Sequence, residues 1–324
     1  MMEWWTRGFS DTILKSAESV RLFFFATRAN VPPMIKRIAV FISLLIFPGW
    51  GFPAPVAEPR PVALESSERP LWEIGLFGGA ARLPHYRGSD EYRLYVLPLP
   101  YIIYRGEIVR ANREGLKGIF WATDRFETAL SFSGSPPVDD DNDARKGMPE
   151  LGAILEVGPG FKFFITERGN PDPLYLTAGV RTAISVDTDD FGTAYRGIRG
   201  GVKLVYRNRT WLEGRRTTLG LNAGIDFANR EYNDYIYSVD PGYAVPGRPA
   251  YRADGGYTGF SVSANAVKKL TGRWSVAAYY RWDNLSGTAY ADSPLVKTEN
   301  NHIIGCALIW TIFQSEETSR YQSE

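Results

Sequence analysis

The stretch Thr217–Phe227, which reads TTLGLNAGIDF, decides the fold class of this chain. Its apolar residues occupy every second position: Leu219, Leu221, Ala223, Ile225 and Phe227. The residues between them are small or polar. Side chains of a strand alternate between two faces, whereas a helical stripe needs spacings of three and four residues. The stretch therefore predicts a β-strand with one apolar and one polar face. The apolar face lies against either a protein core or lipid.

The same alternation returns along much of the chain. Strands of this kind are predicted within 72–77, 126–132, 174–187, 260–266 and 274–283, and a last strand, apolar on both faces, is predicted within 302–313. No long amphipathic helix and no regular alternation of strands with helices interrupts them. Among the 324 residues, 14% are aromatic and 32 are glycine, which is typical of an all-β protein with many turns. The 37 basic residues nearly balance the 36 acidic ones, so no strong positive field favours nucleic acid as a partner.

The predicted connections between strands come in two lengths. Long ones fall at 133–150, 187–196, 230–257 and 287–301, and short ones at 122–124, 168–173, 208–216 and 270–273. From residue 133 onward the two lengths alternate, as they do in outer-membrane barrels with short periplasmic turns and long external loops. The sequence therefore predicts an all-β fold, a transmembrane antiparallel up-and-down β-barrel. A secreted β-sandwich or lipocalin-like barrel is the alternative.

The number of strands should be even, because both chain ends of such a barrel lie on the periplasmic side. The segment Arg93–Tyr104 contains Pro98 and Pro100, which cannot donate to a strand ladder. Excluding this segment gives ten strands, the favoured number. Twelve strands result if residues 107–122 split at Asn112–Gly115.

The N-terminal region predicts secretion. Met34-Ile35-Lys36-Arg37 is basic, and residues 38–47 after it carry no charge. This apolar run is typical of a signal peptide and is shorter than the roughly 20 residues of a spanning helix. A true membrane anchor beginning at Met1 is the alternative. The expected organisation is an extension upstream of the real start at 1–33, a signal peptide at 34–57, a leader at 58–70, the barrel at 71–313 and a tail at 314–324. The single cysteine, Cys306, excludes an intramolecular disulfide framework.

Candidates for catalysis are few. The only histidines are His85, near Ser89 and Asp90, and His302, which follows Asn300 and Asn301. Either group could imitate the His and Ser of a barrel hydrolase. No GxSxG, HExxH, P-loop or paired CxxC motif is present. We expect a non-enzymatic protein with no catalytic, cofactor-binding or metal-binding residue.

The densest acidic run is Asp139–Asp143, with Glu150 further on. These residues match positions 1, 3, 5 and 12 of a calcium loop. Ala144 stands where such a loop requires glycine, and no helices are predicted beside it. A solvated external loop is the favoured interpretation. The alternative is weak binding of divalent cations that bridge to lipopolysaccharide phosphates.

Aromatic residues cluster near predicted strand ends, where such rings favour a membrane interface over a ligand cage. They are Trp72, Trp121, Trp211, Trp274, Tyr280, Trp282, Trp310 and Phe313. Charged residues on the polar faces would point into the lumen of a barrel. They are Arg181, Lys203, Arg207, Asp226, Arg281 and Asp283. Two roles remain open for them, a self-paired plug or the lining of a narrow selective pore.

Several segments carry a family resemblance. They are PHYRGSDEYR at 84–93, LPLPY at 97–101, YRG at 104–106, GLKG at 115–118 and ADSPLV at 291–296. In these segments the chain resembles the MltA-interacting protein (MipA/OmpV) family of Gram-negative outer-membrane proteins. The resemblance extends over about residues 70–313. The eleven residues after Phe313 are a departure, because many such barrels end at the terminal aromatic.

The resemblance implies a β-barrel in the outer membrane that acts as a scaffold for murein-remodelling enzymes. Its expected partners are a periplasmic murein transglycosylase and a murein synthase, with outer-membrane lipid and lipopolysaccharide around the barrel. A channel for small solutes is the alternative function, and an outer-membrane hydrolase is a third.

Overall fold

The computed structural model describes residues 70–105, 109–112, 115–138, 141–168, 170–187, 192–209 and 217–317. These residues form twelve strands and one short α-helix. The strands are β1 (Trp72–Pro84), β2 (Tyr92–Arg105), β3 (Val109–Asn112), β4 (Gly115–Ala122), β5 (Phe126–Ser135), β6 (Ala153–Phe164), β7 (Leu174–Val186), β8 (Thr193–Asn208), β9 (Thr217–Ala228), β10 (Gly256–Lys269), β11 (Trp274–Asn284) and β12 (Asn300–Gln314). The helix α1 (Arg230–Tyr237) lies in the connection between β9 and β10. Within the described residues, no helix has the length and apolar character to cross a membrane.

The twelve strands form a single antiparallel ring. Each strand pairs with its neighbours in sequence, and β1 pairs with β12 as well as with β2. The predicted up-and-down β-barrel is confirmed. The predicted extension, the signal peptide and residues 58–69 of the leader lie outside the described residues. At the other end, Ser315 donates its backbone N–H to Trp72 O over 3.0 Å, so the chain continues beside β1 after β12.

The expectation of ten strands is wrong, and the alternative of twelve is correct. The segment with Pro98 and Pro100 is the regular strand β2, which pairs with β1 along its whole length. Residues 107–122 divide into β3 and β4, as the alternative proposed. A central strand tolerates the two prolines because their missing donors face an edge where the ladder is short. The described residues of β2 pair with β3 only at Tyr104 and Arg105.

The stretch that predicts the fold is strand β9, and its two faces differ as expected. Leu221 is 53% exposed, whereas Asp226 is 5% exposed. Ile225 and Phe227 are exposed on the same face as Leu221. Other strands repeat the pattern with Val180, Val202, Ile304 and Leu308. A belt of exposed apolar side chains around a barrel with charged residues inside is the arrangement of a membrane barrel.

The larger of two hydrophobic clusters lies at one end of the barrel. The connections β1–β2, β5–β6, β9–β10 and β11–β12 follow odd-numbered strands, so they leave from the same end. Their residues pack together in what we call the cap. Its buried members are Tyr86, Val138, Leu151, Tyr232, Ile236, Tyr237, Val239, Ala253, Leu285, Tyr290 and Leu295. Apolar side chains of these connections therefore cover one another at the barrel mouth.

Helix α1 supplies the centre of the cap. The Asn229 side chain accepts a hydrogen bond from Tyr232 N over 3.2 Å, which satisfies a free donor at the helix start. One face of the helix buries Tyr232, Ile236 and Tyr237. A helix of eight residues is too short to be stable in water by itself, so this packing holds it in place.

Candidate functional site

The two sequence segments that carry the strongest resemblance meet in the cap. The Tyr86 hydroxyl donates to Leu295 O over 2.8 Å. Gly88 N donates to Asn301 Oδ1 over 2.6 Å, and Asn301 Nδ2 donates in turn to Ser89 O over 2.8 Å. Gly88 has a φ of +98°, a conformation that L side chains rarely adopt. The segments 84–93 and 291–296 therefore form part of the cap.

Ring stacking and hydrogen bonds hold helix α1 against the same segments. The rings of Tyr237 and Tyr290 stack with centroids 3.6 Å apart. The Tyr237 hydroxyl donates to Arg87 O over 3.0 Å, and Ser293 Oγ donates to Tyr237 O over 2.6 Å. Burial raises the pKa of Tyr237, and burial raises the pKa of Tyr232 to about 12. Both hydroxyls are thus neutral hydrogen-bond donors at physiological pH.

Beneath the cap, the lumen contains a network of ion pairs. Arg87, from the β1–β2 connection, reaches Asp283 of β11 at 3.1 Å and Asp226 of β9 at 3.5 Å. Arg199 of β8 reaches the same Asp226 at 2.9 Å and Glu156 of β6 at 3.3 Å. The network continues to Arg181 at 3.7 Å from Glu156 and to Arg281 at 2.6 Å from Asp283. Its charges alternate across the barrel, so each carboxylate touches two guanidinium groups.

This network bears on the two roles that the sequence left open. Arg181, Asp226, Arg281 and Asp283 belong to one self-paired cluster. Asp283 is fully buried, as a residue in an open aqueous path would not be. Buried charges need partners, because a lone ion in this environment is costly. The geometry favours the plug over the pore.

Arg207 lies in a second interior cluster, nearer the short turns. Its Nε donates to the Tyr175 hydroxyl over 3.0 Å. In the same cluster, Arg168 reaches Glu127 at 2.7 Å and Lys162 lies 4.7 Å from the centre of the Tyr175 ring. Charged and aromatic side chains are therefore paired in the interior near both ends of the barrel.

Sequence reasoning missed half of these interior charges. Glu127 lay on a predicted strand, and Glu156, Lys162 and Arg199 lay between the predicted connections, but none of them was among the charges assigned to the lumen. The sequence carried a signal for Glu156 and Lys162, because the two residues are six positions apart within an apolar segment. Their parity places them on one face of a strand.

The two groups of candidate catalytic residues lie apart in the structure. The Nδ1 of His85 is 3.3 Å from Asn142 Nδ2, and the same Asn142 amide donates to Ser89 Oγ over 3.2 Å. Among the hydrogen bonds of the described residues, none joins His85 to Ser89 directly. His302 lies on the outer surface of β12, where its Nδ1 is 2.9 Å from the Tyr280 hydroxyl. The two histidines are thus on different faces of the molecule.

The acidic run takes part in the cap. Asp139 and Asp140 lie outside the described residues. Asp141 pairs with Arg93, and Asn142 is fully buried and donates to Glu91 Oε1 over 2.9 Å. Within the described part of the chain, no three His, Cys, Asp or Glu side chains are grouped to hold a metal ion.

The aromatic residues lie near the strand ends, as expected. At the short-turn end, Trp274 and Trp310 stack with centroids 5.5 Å apart on the outer surface, and Trp72 and Phe313 are exposed nearby on paired strands. At the long-loop end, Trp282 Nε1 donates to Asn300 Oδ1 over 3.0 Å. Trp211 lies outside the described residues. The placement matches the interfacial belts of membrane barrels.

Two solved structures are similar to this chain at low sequence identity. The translocator domain of the autotransporter NalP from Neisseria meningitidis covers 75% of this chain, which covers 89% of it, with 11% identity and a TM-score of 0.37. The CymD monoaromatic hydrocarbon channel covers 77% of this chain, which covers 90% of it, with 11% identity and a TM-score of 0.31. With its antiparallel ring and apolar outer face, the protein is an outer-membrane β-barrel.

Sequence comparisons give the family. The profile of the family described as MltA-interacting protein MipA matches residues 75–312, so the chain belongs to that family. Outer membrane protein OmpV of Vibrio cholerae is 23% identical over 280 residues, which are 85% of this chain and 99% of the relative. Outer membrane protein Omp26La of Vibrio anguillarum is 22% identical over the same shares. The resemblance and the location in the outer membrane are confirmed.

Proposed function

We propose that this protein is a non-enzymatic scaffold that docks murein-remodelling enzymes at the short-turn end of the barrel. The partner class is a murein transglycosylase, with a murein synthase as a second partner. The family description, which names interaction with MltA, motivates the transglycosylase. In this proposal the short turns face the periplasm, while lipid and lipopolysaccharide surround the outer face.

The observation that carries the proposal is the self-paired interior. The cap packs the long connections over the barrel mouth, and the ion-pair network spans the lumen below it. A protein with such an interior is better suited to present a rigid surface than to conduct solutes. The channel interpretation therefore has less support than the scaffold interpretation.

The short-turn end offers a surface for a partner. The turn between β10 and β11 exposes Leu270, at 47%, between Lys269 and Arg273. An apolar side chain between two cations suits contact with a complementary protein surface better than contact with water. Asp124 and Arg125 are exposed in the turn between β4 and β5. Turns on a closed barrel hold such residues in a fixed arrangement.

The test is capture of purified murein transglycosylase by the barrel in detergent, measured by cross-linking and by surface binding. We expect Leu270→Asp to weaken binding about tenfold, because a charge would replace an apolar contact at the docking turn. The matched control is Val245→Asp, since Val245 is 50% exposed but lies in the long β9–β10 connection. The control should bind as the wild type does.

Two outcomes contradict the proposal. One is the absence of capture under conditions in which the barrel is assembled. The other is an equal loss of binding in both variants, which would show that the docking site is not at the short-turn end. Conductance in a planar bilayer at low protein load would instead support the channel.

A further inference from the structure

The ion-pair network beneath the cap carries more positive than negative charge. Its described members are the cations Arg87, Arg181, Arg199 and Arg281 and the carboxylates Glu156, Asp226 and Asp283. Lys203 of β8 lies beside the network, within electrostatic range of Asp226 and Arg281. Four guanidinium groups and the Lys203 ammonium make five cations against three carboxylates, which leaves two positive charges in surplus. Such a surplus attracts anions.

Lys203 is the cation of this group that has no close carboxylate. Among the described residues, none forms an ion pair or a hydrogen bond with its ammonium group, and the side chain is only partly buried. Its stem lies over Gly224 of β9, where an added Cβ would collide with Lys203 Cγ. The glycine therefore lets the lysine lean across β9, toward the strands beyond it. Its three N–H donors remain available to a ligand.

Arg281 approaches the same part of the lumen from β11 and also has donors to spare. Its Nε and Nη2 both donate to Asp283 Oδ1, over 3.0 and 2.6 Å. No described residue accepts a hydrogen bond from its Nη1. The Arg281 side chain is 22% exposed, whereas that of Asp283 is fully buried. The carboxylate is thus the covered half of the pair, and the guanidinium is the half that the lumen can reach.

Two polar side chains lie on the inner wall between Lys203 and Arg281. In the strand ladder, Ser263 of β10 pairs with Arg281 on one side and with Asn222 of β9 on the other. Asn222 Nδ2 donates to Ser263 Oγ over 3.0 Å. Ser263 is 8% exposed, and no described residue accepts its own O–H. A buried donor without an acceptor is unfavourable, so an acceptor supplied by a ligand would stabilise it.

The inner wall around these groups leaves them uncovered. The next inward position before Lys203 on β8 is Gly201, and the one after Asn222 on β9 is Gly224. Glycine adds no side chain that could cover the Lys203 ammonium. On β11, the inward residue before Arg281 is Tyr279, which is 38% exposed. The groups therefore face accessible lumen on the side of the network that points away from the cap.

We propose that Lys203, Arg281 and Ser263 form a binding site for a small oxyanion. The Lys203 ammonium, the Arg281 Nη1 and the Ser263 hydroxyl are its donors. Oxygen anions such as phosphate and carboxylate accept several charge-assisted hydrogen bonds at once, which suits an ammonium and a guanidinium on one wall. The bound anion also offsets part of the surplus positive charge. This inference is independent of the scaffold function, since it concerns the lumen and not the short turns.

The experiment is equilibrium dialysis of the full-length protein, assembled in a zwitterionic detergent, against radiolabelled inorganic phosphate. Sodium chloride keeps the ionic strength constant. We expect saturable binding of a single phosphate per chain. Acetate and glycerol phosphate, each replacing an equal ionic strength of chloride, then distinguish a carboxylate ligand from a phosphate ester by which of them displaces phosphate at the lower concentration. Absence of saturable binding overturns the proposal, and so does the failure of both competitors to displace phosphate better than chloride does.

A charge variant tests the role of Lys203. Lys203→Met removes the ammonium and keeps an unbranched side chain, so phosphate affinity should fall roughly tenfold or more, the effect of one hydrogen bond to a charged group. Lys268→Met is the matched control, because Lys268 is exposed on the outer face of β10, and it should bind phosphate as the wild type does. Equal affinity in Lys203→Met and the wild type overturns the proposal. An equal loss in both variants does so too.

A second variant leaves the charges of the lumen unchanged. Ser263→Ala removes the hydroxyl donor and should lower phosphate affinity roughly fivefold, the effect of one ordinary hydrogen bond. The shift between heated and unheated protein in gel electrophoresis checks that each variant is assembled before dialysis. Unchanged affinity in assembled Ser263→Ala overturns the assignment of Ser263 as a donor.

Discussion

The barrel wall and the cap place their apolar side chains in opposite ways. In the wall, apolar side chains such as Leu221 point outward and charges such as Asp226 point inward. In the cap, Tyr290 and Leu295 are buried in the centre. The difference reflects the surroundings, because lipid solvates the apolar face of the wall, whereas the cap must bury its apolar residues against one another.

The wall and the cap are joined by charges. Arg87 belongs to the β1–β2 connection, yet its guanidinium contacts Asp226 and Asp283 on the barrel wall. The backbone of the same residue accepts the hydrogen bond from Tyr237 of the cap. Arg87 therefore couples the position of the cap to the ion pairs of the lumen.

The largest expected effect comes from breaking this junction. Asp283→Ala leaves Arg87 and Arg281 without a fully buried partner, and removing one member of such a pair costs about 3–5 kcal/mol. We expect the cap to detach while the strands persist. Limited proteolysis would show faster cleavage within the β9–β10 connection, and far-ultraviolet circular dichroism would show an unchanged sheet. Asp240→Ala is the control, because Asp240 is exposed in the same connection and its side chain caps nothing.

Resistance of that connection to protease in Asp283→Ala would show that the ion pairs do not hold the cap. Loss of the sheet signal would show that wall and cap are one unit, which would remove the distinction between them.

The next effect tests the wall alone. Leu221→Arg places a charge on the lipid-facing side, which costs roughly 2–4 kcal/mol at the bilayer midplane. We expect assembly to be blocked, measured by the shift of heat-treated against untreated protein in gel electrophoresis. Asn222→Arg is the control, since the neighbouring side chain faces the lumen, where it bonds to Ser263 Oγ over 3.0 Å. Normal assembly of Leu221→Arg would mean that the faces of β9 are assigned the wrong way round.

The sequence predicted most strands of the wall but not the cap, for a physical reason. Period-2 alternation is local, so β9 and β11 could be read from their own residues. The contacts of the cap join residues far apart in the chain, such as Tyr86 and Leu295, and leave no periodic signal. The prolines of β2 misled the strand count because proline was weighed against a strand with two paired edges. In the barrel, both prolines keep their places in the ladder with β1 without a bulge.

The smallest of the three effects tests the cap alone. Gly88→Ala places a side chain at a φ of +98°, where its Cβ would lie 3.3 Å from Leu285 Cδ1. A non-glycine residue in this conformation costs about 1–3 kcal/mol. The connection between β1 and β2 should loosen from Asn301 and become more accessible to hydrogen exchange, while β1 and β2 keep their protection. Gly242→Ala is the matched control, because Gly242 lies in the β9–β10 connection with no atom within 4 Å of the added Cβ. Equal exchange in both variants would show that the backbone at Gly88 carries no special constraint, and the cap would then depend on its side chains alone.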